Sequence, residues 1–217
     1  MIIFASNIIG KLITKQSIMK TKILLVIFIL SGLVQASAQD KKFNFGLKIA
    51  PAVSWLSTDQ KGTSSDGPLA RFNWGFIGAY NFSQNFALVT GININSLGGK
   101  LIDEDKHSIK RKYTELQIPA IFQMRSNDIG GFKIYFQLGL GGGIFLSAKD
   151  GDDEKIYDQT RPFNASYIVA SGVDFPVKGG FSLIGQIKFN GGLANIGKSD
   201  SYNAKSSFLE LGLGVLF

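Results

Sequence analysis

The 217-residue chain has no cysteine, which excludes a disulfide framework and any thiolate metal site. It has one histidine, His107, so a histidine-dependent reaction would rest on that residue alone. No Pro/Ser-rich linker divides the chain after Asp40, which reads as one domain. No apolar run reaches the roughly 20 residues that a transmembrane helix needs, and no helical periodicity recurs after Asp40. Basic residues outnumber acidic ones, 23 to 16, and the pI is near 9.5. A basic stripe with interleaved aromatics is nevertheless missing, which argues against nucleic-acid binding.

What is present begins with a leader. Lys20 and Lys22 precede the apolar run from Ile23 to Leu30, and Ala36-Ser37-Ala38 supplies the small residues a signal peptidase accepts. Cleavage after Ala38 is expected, with Met19 as the true start and the stretch before it an upstream extension. With no cysteine after the run, lipoprotein anchoring is excluded. Residues 39–217 are the expected mature domain. The leader carries Lys11, Lys15, Lys20 and Lys22 and no acid; removing these 4 from 23 leaves 19 basic residues against 16 acids, so the net charge falls from +7 to +3.

Beyond the leader the recurring signal is alternation of period two, the mark of strands with two unlike faces. In the last ten residues Leu209, Leu211, Leu213, Val215 and Phe217 share one face, and Phe208, Glu210, Gly212, Gly214 and Leu216 the other. Seven earlier segments share this pattern: Phe43 to Ser57, Arg71 to Phe82, Asn85 to Leu97, Lys110 to Arg125, Phe132 to Leu146, Phe163 to Phe175 and Phe181 to Leu193. Each is long enough to cross a bilayer at a tilt, and an even number closes the sheet without an edge in lipid. The connections alternate between tight (Asn81 to Gln84, Ser126 to Gly130, Pro176 to Gly180) and long (Thr58 to Gly67, Gly98 to Ser108, Ala148 to Thr160, Ala194 to Asn203).

Aromatics on the apolar faces form two belts. Phe43, Phe45, Phe82, Phe86, Phe132, Phe175, Phe181 and Phe217 fall near the tight turns, and Trp55, Phe72, Trp74, Phe163 and Tyr167 near the long loops. The alternative is a soluble lipocalin-like barrel with its apolar face inward. Leader, terminal Phe217, belts and loop asymmetry favour an eight-stranded antiparallel transmembrane up-and-down β-barrel in the outer membrane of a Gram-negative cell. Both termini are then periplasmic, and Phe217 is the signal read by the barrel-assembly machinery.

In that architecture the lumen receives Lys48, Arg71, Arg125, Lys133 and Lys188 with Glu115, Asp174 and Glu210. A salt-bridged, hydrated plug is expected, because eight strands leave an interior that side chains can fill. A narrow ion path is the alternative. Lys48, on the strand that neighbours the last one after closure, is a partner for Glu210. Gly139, Gly141 and Gly143 make room for larger neighbours across the barrel; they are no phosphate fingerprint, since Ile144 follows and no helix does.

Catalysis and cofactors are not expected. His107 beside Ser108, with Asp103, Glu104 and Asp105 upstream, sits in a polar loop that is poorly suited to fixing a nucleophile and its base. The acidic tip of Asp150, Asp152, Asp153 and Glu154 fails the EF-hand pattern, with Lys155 in place of the glycine and Arg161 in place of the bidentate acid. A solvated charged loop is expected there.

The segment Tyr113-Thr114-Glu115-Leu116-Gln117-Ile118-Pro119 resembles the Tyr-x-Glu-Ile-Pro segment of PorT-like outer-membrane β-barrel proteins common in Bacteroidetes. GLKIAPAVSWLS, from Gly46, resembles that family's first strand with its Gly-x-Lys run. The resemblance spans residues 39–217 by pattern more than by fixed residues, and Gln117 is an extra residue in the motif. It implies a monomeric barrel with a structural or interaction role. Because the founding member serves type IX secretion and gliding, it also implies envelope or secretion proteins as partners beside outer-membrane lipid. No functional residue is carried over. Pro119 cannot donate to a ladder, so a bulge is expected near it.

Overall fold

The alternating segments become eight long strands: β1 (Phe43–Thr58), β3 (Leu69–Asn81), β4 (Phe86–Ile102), β5 (Ser108–Arg125), β6 (Lys133–Lys149), β7 (Phe163–Val177), β8 (Phe181–Gly192) and β9 (Ala204–Leu216). Each pairs antiparallel with its neighbour in sequence, and β9 pairs with β1, so the sheet closes on itself. A short strand β2 (Ser64–Gly67) lies outside the ring, on β4. This computed structural model describes residues 42–58, 64–102, 108–151, 154–156, 160–198 and 204–217. The leader, His107 with Asp103, Glu104 and Asp105, and Asp152 and Asp153 lie outside the described residues.

The direction of the alternation decides between the two barrels the sequence allows. Leu213 is 65% exposed, Leu140 60% and Ile187 56%, while Lys48 is 6% exposed and Lys188 2%. Apolar side chains face out and charged ones in, the distribution that lipid demands and water opposes. The aromatic belts lie on this outer wall. Near the tight turns Phe43 and Tyr80 have ring centroids 4.8 Å apart, and Phe132 and Phe175 5.5 Å apart. Toward the long loops, Trp55 and Tyr167 both pack on Phe189, at 6.1 and 5.7 Å.

Three expectations are corrected. The connection from Gly98 to Ser108 is partly strand, because β4 and β5 stay zipped as far as Ile102↔Ser108. β4 therefore outruns the β3 ladder, whose last pair is Trp74↔Ile94, and its free edge takes Ser64 and Ser65 opposite Ile102 and Leu101. Part of the expected Thr58 to Gly67 loop thus becomes β2. The bulge expected at Pro119 is absent. Instead the β4–β5 ladder skips residues 90–92 and 118–120 while keeping its register, from Val89↔Ile121 to Asn93↔Gln117. Thr90 Oγ1 donates to the Pro119 carbonyl at 2.8 Å, which satisfies an acceptor on the lipid side. The bulge lies between Thr114 and Glu115, where Leu146 of β6 is extra. It shifts the inward phase of β6, so that both Phe145 and Ala148 are buried.

Candidate functional site: the barrel interior

The interior is layered. At the turn end, polar side chains from the strand ends meet: Asn81 Nδ2 donates to Asn44 Oδ1 (2.5 Å), Arg125 Nη2 to Asn81 Oδ1 (2.7 Å) and Tyr135 OH to Gln186 Oε1 (3.2 Å). A cavity of about 40 Å³ rises from here to mid-barrel, bordered by Arg125, Tyr135, Asp174, Gln186, Lys48 and Lys188. That is room for water among groups able to bind it. Asp174 Oδ1 is buried on this wall without a hydrogen bond from the protein.

The middle layer is ionic. Lys48 Nζ lies 2.7 Å and Lys188 Nζ 2.8 Å from the same oxygen, Glu210 Oε1. Asn73 Nδ2 donates to the other, Oε2, at 2.8 Å. All four side chains are buried, so each charge depends on these contacts in place of water. Lys188 Nζ also stands 5.3 Å from the Phe208 ring centroid. Glu115 is held by amides: Asn164 Nδ2 donates to Oε1 (2.8 Å) and Asn95 Nδ2 to Oε2 (3.0 Å). Next to it, Gln117 Nε2 donates to Ser166 Oγ at 3.1 Å.

The loop-end layer is apolar. Ala52, Leu56, Leu97, Leu101, Tyr113, Phe145, Ala148, Ile156, Ile196 and Phe208 form one buried cluster, with the Tyr113 and Phe145 rings 5.4 Å apart. Gly98 and Gly99 let β4 lean onto β1. Ser54 Oγ donates to the Gly98 carbonyl and accepts from the Gly98 amide, both at 2.9 Å, and a Cβ on Gly99 would strike Leu56.

Of the eight residues predicted for a polar lumen, the structure joins Lys48, Lys188 and Glu210. Glu115 sits in the same layer among amides; Asp174, Arg125 and Lys133 belong to the turn end. Arg71 stands at the loop end beside Gly98, its Nε and Nη2 buried without hydrogen bonds. Sequence reasoning missed Asn73, Asn95 and Asn164 as carboxylate ligands, and it missed the apolar layer. The signal for that layer was available in phase: Leu56 follows Lys48 at even spacing, Leu97 follows Asn95, and Tyr113 precedes Glu115. The three glycines also differ from expectation. The space at Gly141 and Gly143 is taken by Gln117 and Glu115, on the neighbouring strand, not by residues across the barrel.

A family model described as outer membrane protein beta-barrel domain matches residues 35–198. The chain belongs to this family. Its apolar outer wall is accordingly the surface of an outer-membrane β-barrel. Among solved structures, Neisserial surface protein A is similar at 17% identity, covering 81% of this chain and 96% of that one, with a TM-score of 0.52. OprG from Pseudomonas aeruginosa matches at 12% identity over 80% and 95% of the two chains, TM-score 0.47. Ail, the attachment invasion locus protein of Yersinia pestis, matches at 17% over 81% and 99%, TM-score 0.45. The likeness to the Neisserial protein is one of fold. Comparison with curated protein sequences gives no match.

Proposed function

We propose that this outer-membrane barrel is a non-conducting, non-enzymatic monomer of structural or interaction type, acting through its loops and turns. The observation that carries the reading is the filled interior: Phe145, Phe208, Tyr113, Leu56 and Leu97 stand between the turn-end cavity and the loop end, above the Lys48–Glu210–Lys188 set. Short turns and long loops favour a periplasmic turn end with both termini there, and Phe217 serves as the assembly signal. The PorT-like assignment is supported by the segment from Tyr113 to Pro119, which lays Tyr113, Glu115, Gln117 and Pro119 on the inner face. Service in envelope biogenesis or secretion is the role this favours.

Planar-bilayer recording on the purified protein tests the filled interior, and a quiet membrane is expected. Stable, large single-channel steps would overturn the reading in favour of a channel. In-cell crosslinking from the loops and turns is expected to capture envelope proteins above background; capture of none would remove the interaction role.

A further inference from the structure

The turn-end cavity is lined by groups with bonding capacity left over. Lys48 and Lys188 each carry three N–H donors, and among the described residues the acceptor of both is the shared Glu210 Oε1. Asp174 is the complement: it is 8% exposed, and its Oδ1 is buried without a donor. Lys133, opposite Asp174 on β6, lies outside the cavity lining. Spare donors and a spare acceptor in one enclosed space are costly unless an occupant satisfies them. Strand pairing brings them together. Lys48 lies opposite Gly214, Gly214 opposite Ile184, and Ile184 opposite Asp174, so the lysine and the acid share one row of cross-strand partners. Position 214 puts no side chain between them. Across the lumen the wall is largely apolar, with Ile77 and Ala79 of β3, Val89 of β4 and Ile121 of β5.

Size and charge narrow the ligand. The cavity of about 40 Å³, at roughly 10–15 Å³ for each water, holds about three waters. The apolar layer around Phe145 and Phe208 closes it toward the loops, while Arg125 and Gln186, both partly exposed, border it at the turn end. A lone anion would leave Asp174 unsatisfied, and a lone cation would leave the lysines so. A molecule carrying both charges answers both, through charge-assisted hydrogen bonds about twice as strong as neutral ones. We infer that the turn-end cavity binds a small zwitterion of the amino acid class, its carboxylate on Lys48 and Lys188 and its ammonium on Asp174. Water, which also donates and accepts, is the competing occupant.

The test is an NMR titration of the folded barrel in neutral detergent with isotope-labelled glycine, acetate and methylammonium. Glycine is expected to bind at one site per barrel, and acetate and methylammonium roughly tenfold more weakly, since each forfeits one set of charge-assisted bonds. Asp174→Asn is expected to weaken glycine roughly tenfold while binding acetate no less than wild type does, a split that general loss of structure would not give. Ala79→Leu fills the apolar side without touching a polar group and is expected to abolish glycine binding. Gel mobility of unheated samples verifies that each variant is folded, and if one fails to fold the other decides. No glycine binding by wild type would leave water as the occupant and overturn the inference. Acetate or methylammonium binding as tightly as glycine, or full glycine affinity in either folded variant, would overturn it too. A quiet planar bilayer is expected under every one of these outcomes, because the apolar layer closes the path above the cavity.

Discussion

Lys48 and Glu210 meet across the seam that closes the barrel, Nζ to Oε1 at 2.7 Å, although the strand register sets Lys48 opposite Gly214 and Glu210 opposite Ala52. The lysine leans along β9, over a position with no side chain, to reach the acid. Lys188 arrives at the same oxygen from β8, where it is the direct cross-strand partner of Glu210. One carboxylate therefore ties the last strand to both its neighbours.

Glu210→Gln leaves two buried ammonium groups sharing a neutral amide. Removing the shared partner of a buried ion set costs about 3–5 kcal/mol, and that loss is expected here. Lys48→Met leaves the Lys188 pair in place and is expected to cost less. Urea unfolding from lipid vesicles, followed by tryptophan fluorescence, measures both; equal losses would show that the two lysines do not share the acid.

The apolar layer is expected to act as the seal. Phe145→Ala with Phe208→Ala removes its two phenylalanine rings, both 1% exposed. Each truncation is expected to cost about 3–5 kcal/mol. In planar bilayers the double variant is expected to show current steps that wild type lacks, and a variant as silent as wild type would place the seal elsewhere.

Gly143→Ala and Gly142→Ala should behave as opposites. A Cβ at position 143 would fall on the Glu115 carboxylate, whereas one at position 142 meets nothing within 4 Å. Displacing Glu115 from Asn95 and Asn164 is expected to cost about 1–3 kcal/mol. Gly142→Ala, on the outer wall, should stay within about 0.5 kcal/mol. Paired vesicle unfolding curves decide it.

Phe217 exchanges backbone hydrogen bonds with Phe45, donating at 2.6 Å and accepting at 3.2 Å. A side-chain change leaves those bonds available. Phe217→Ala is therefore expected to refold in vitro with stability within about 0.5 kcal/mol of wild type, yet to accumulate less folded barrel in cells. Gel mobility of unheated membrane samples reads the folded fraction, and equal fractions would remove its role as an assembly signal.

The fold was legible because a strand has only two faces. Alternation from Phe43 to Phe217 assigns each residue to one of them, and an even number of long segments in lipid has to close. Departures arose where backbone chemistry had more than one answer. Pro119 withholds an N–H, which either a bulge or a gap can absorb; the Thr90 hydroxyl made the gap tenable.

By itself the sequence determined a closed barrel of two-faced strands, with Lys48, Lys188 and Glu210 together on the polar face; that the apolar face turns outward is seen in the exposure of Leu213, Leu140 and Ile187. Period two is a local property, and every strand carries it alone. The tertiary structure decided which inward residues meet. Those contacts depend on register and on the slant of strands around the ring, which bring Asn73 of β3 to Glu210 of β9 and Asn164 of β7 to Glu115 of β5. It also decided that Ile156 and Ile196, outside the strands, complete an apolar layer with Phe145 and Phe208. Alternation says which way a side chain points; only closure brings it to a partner.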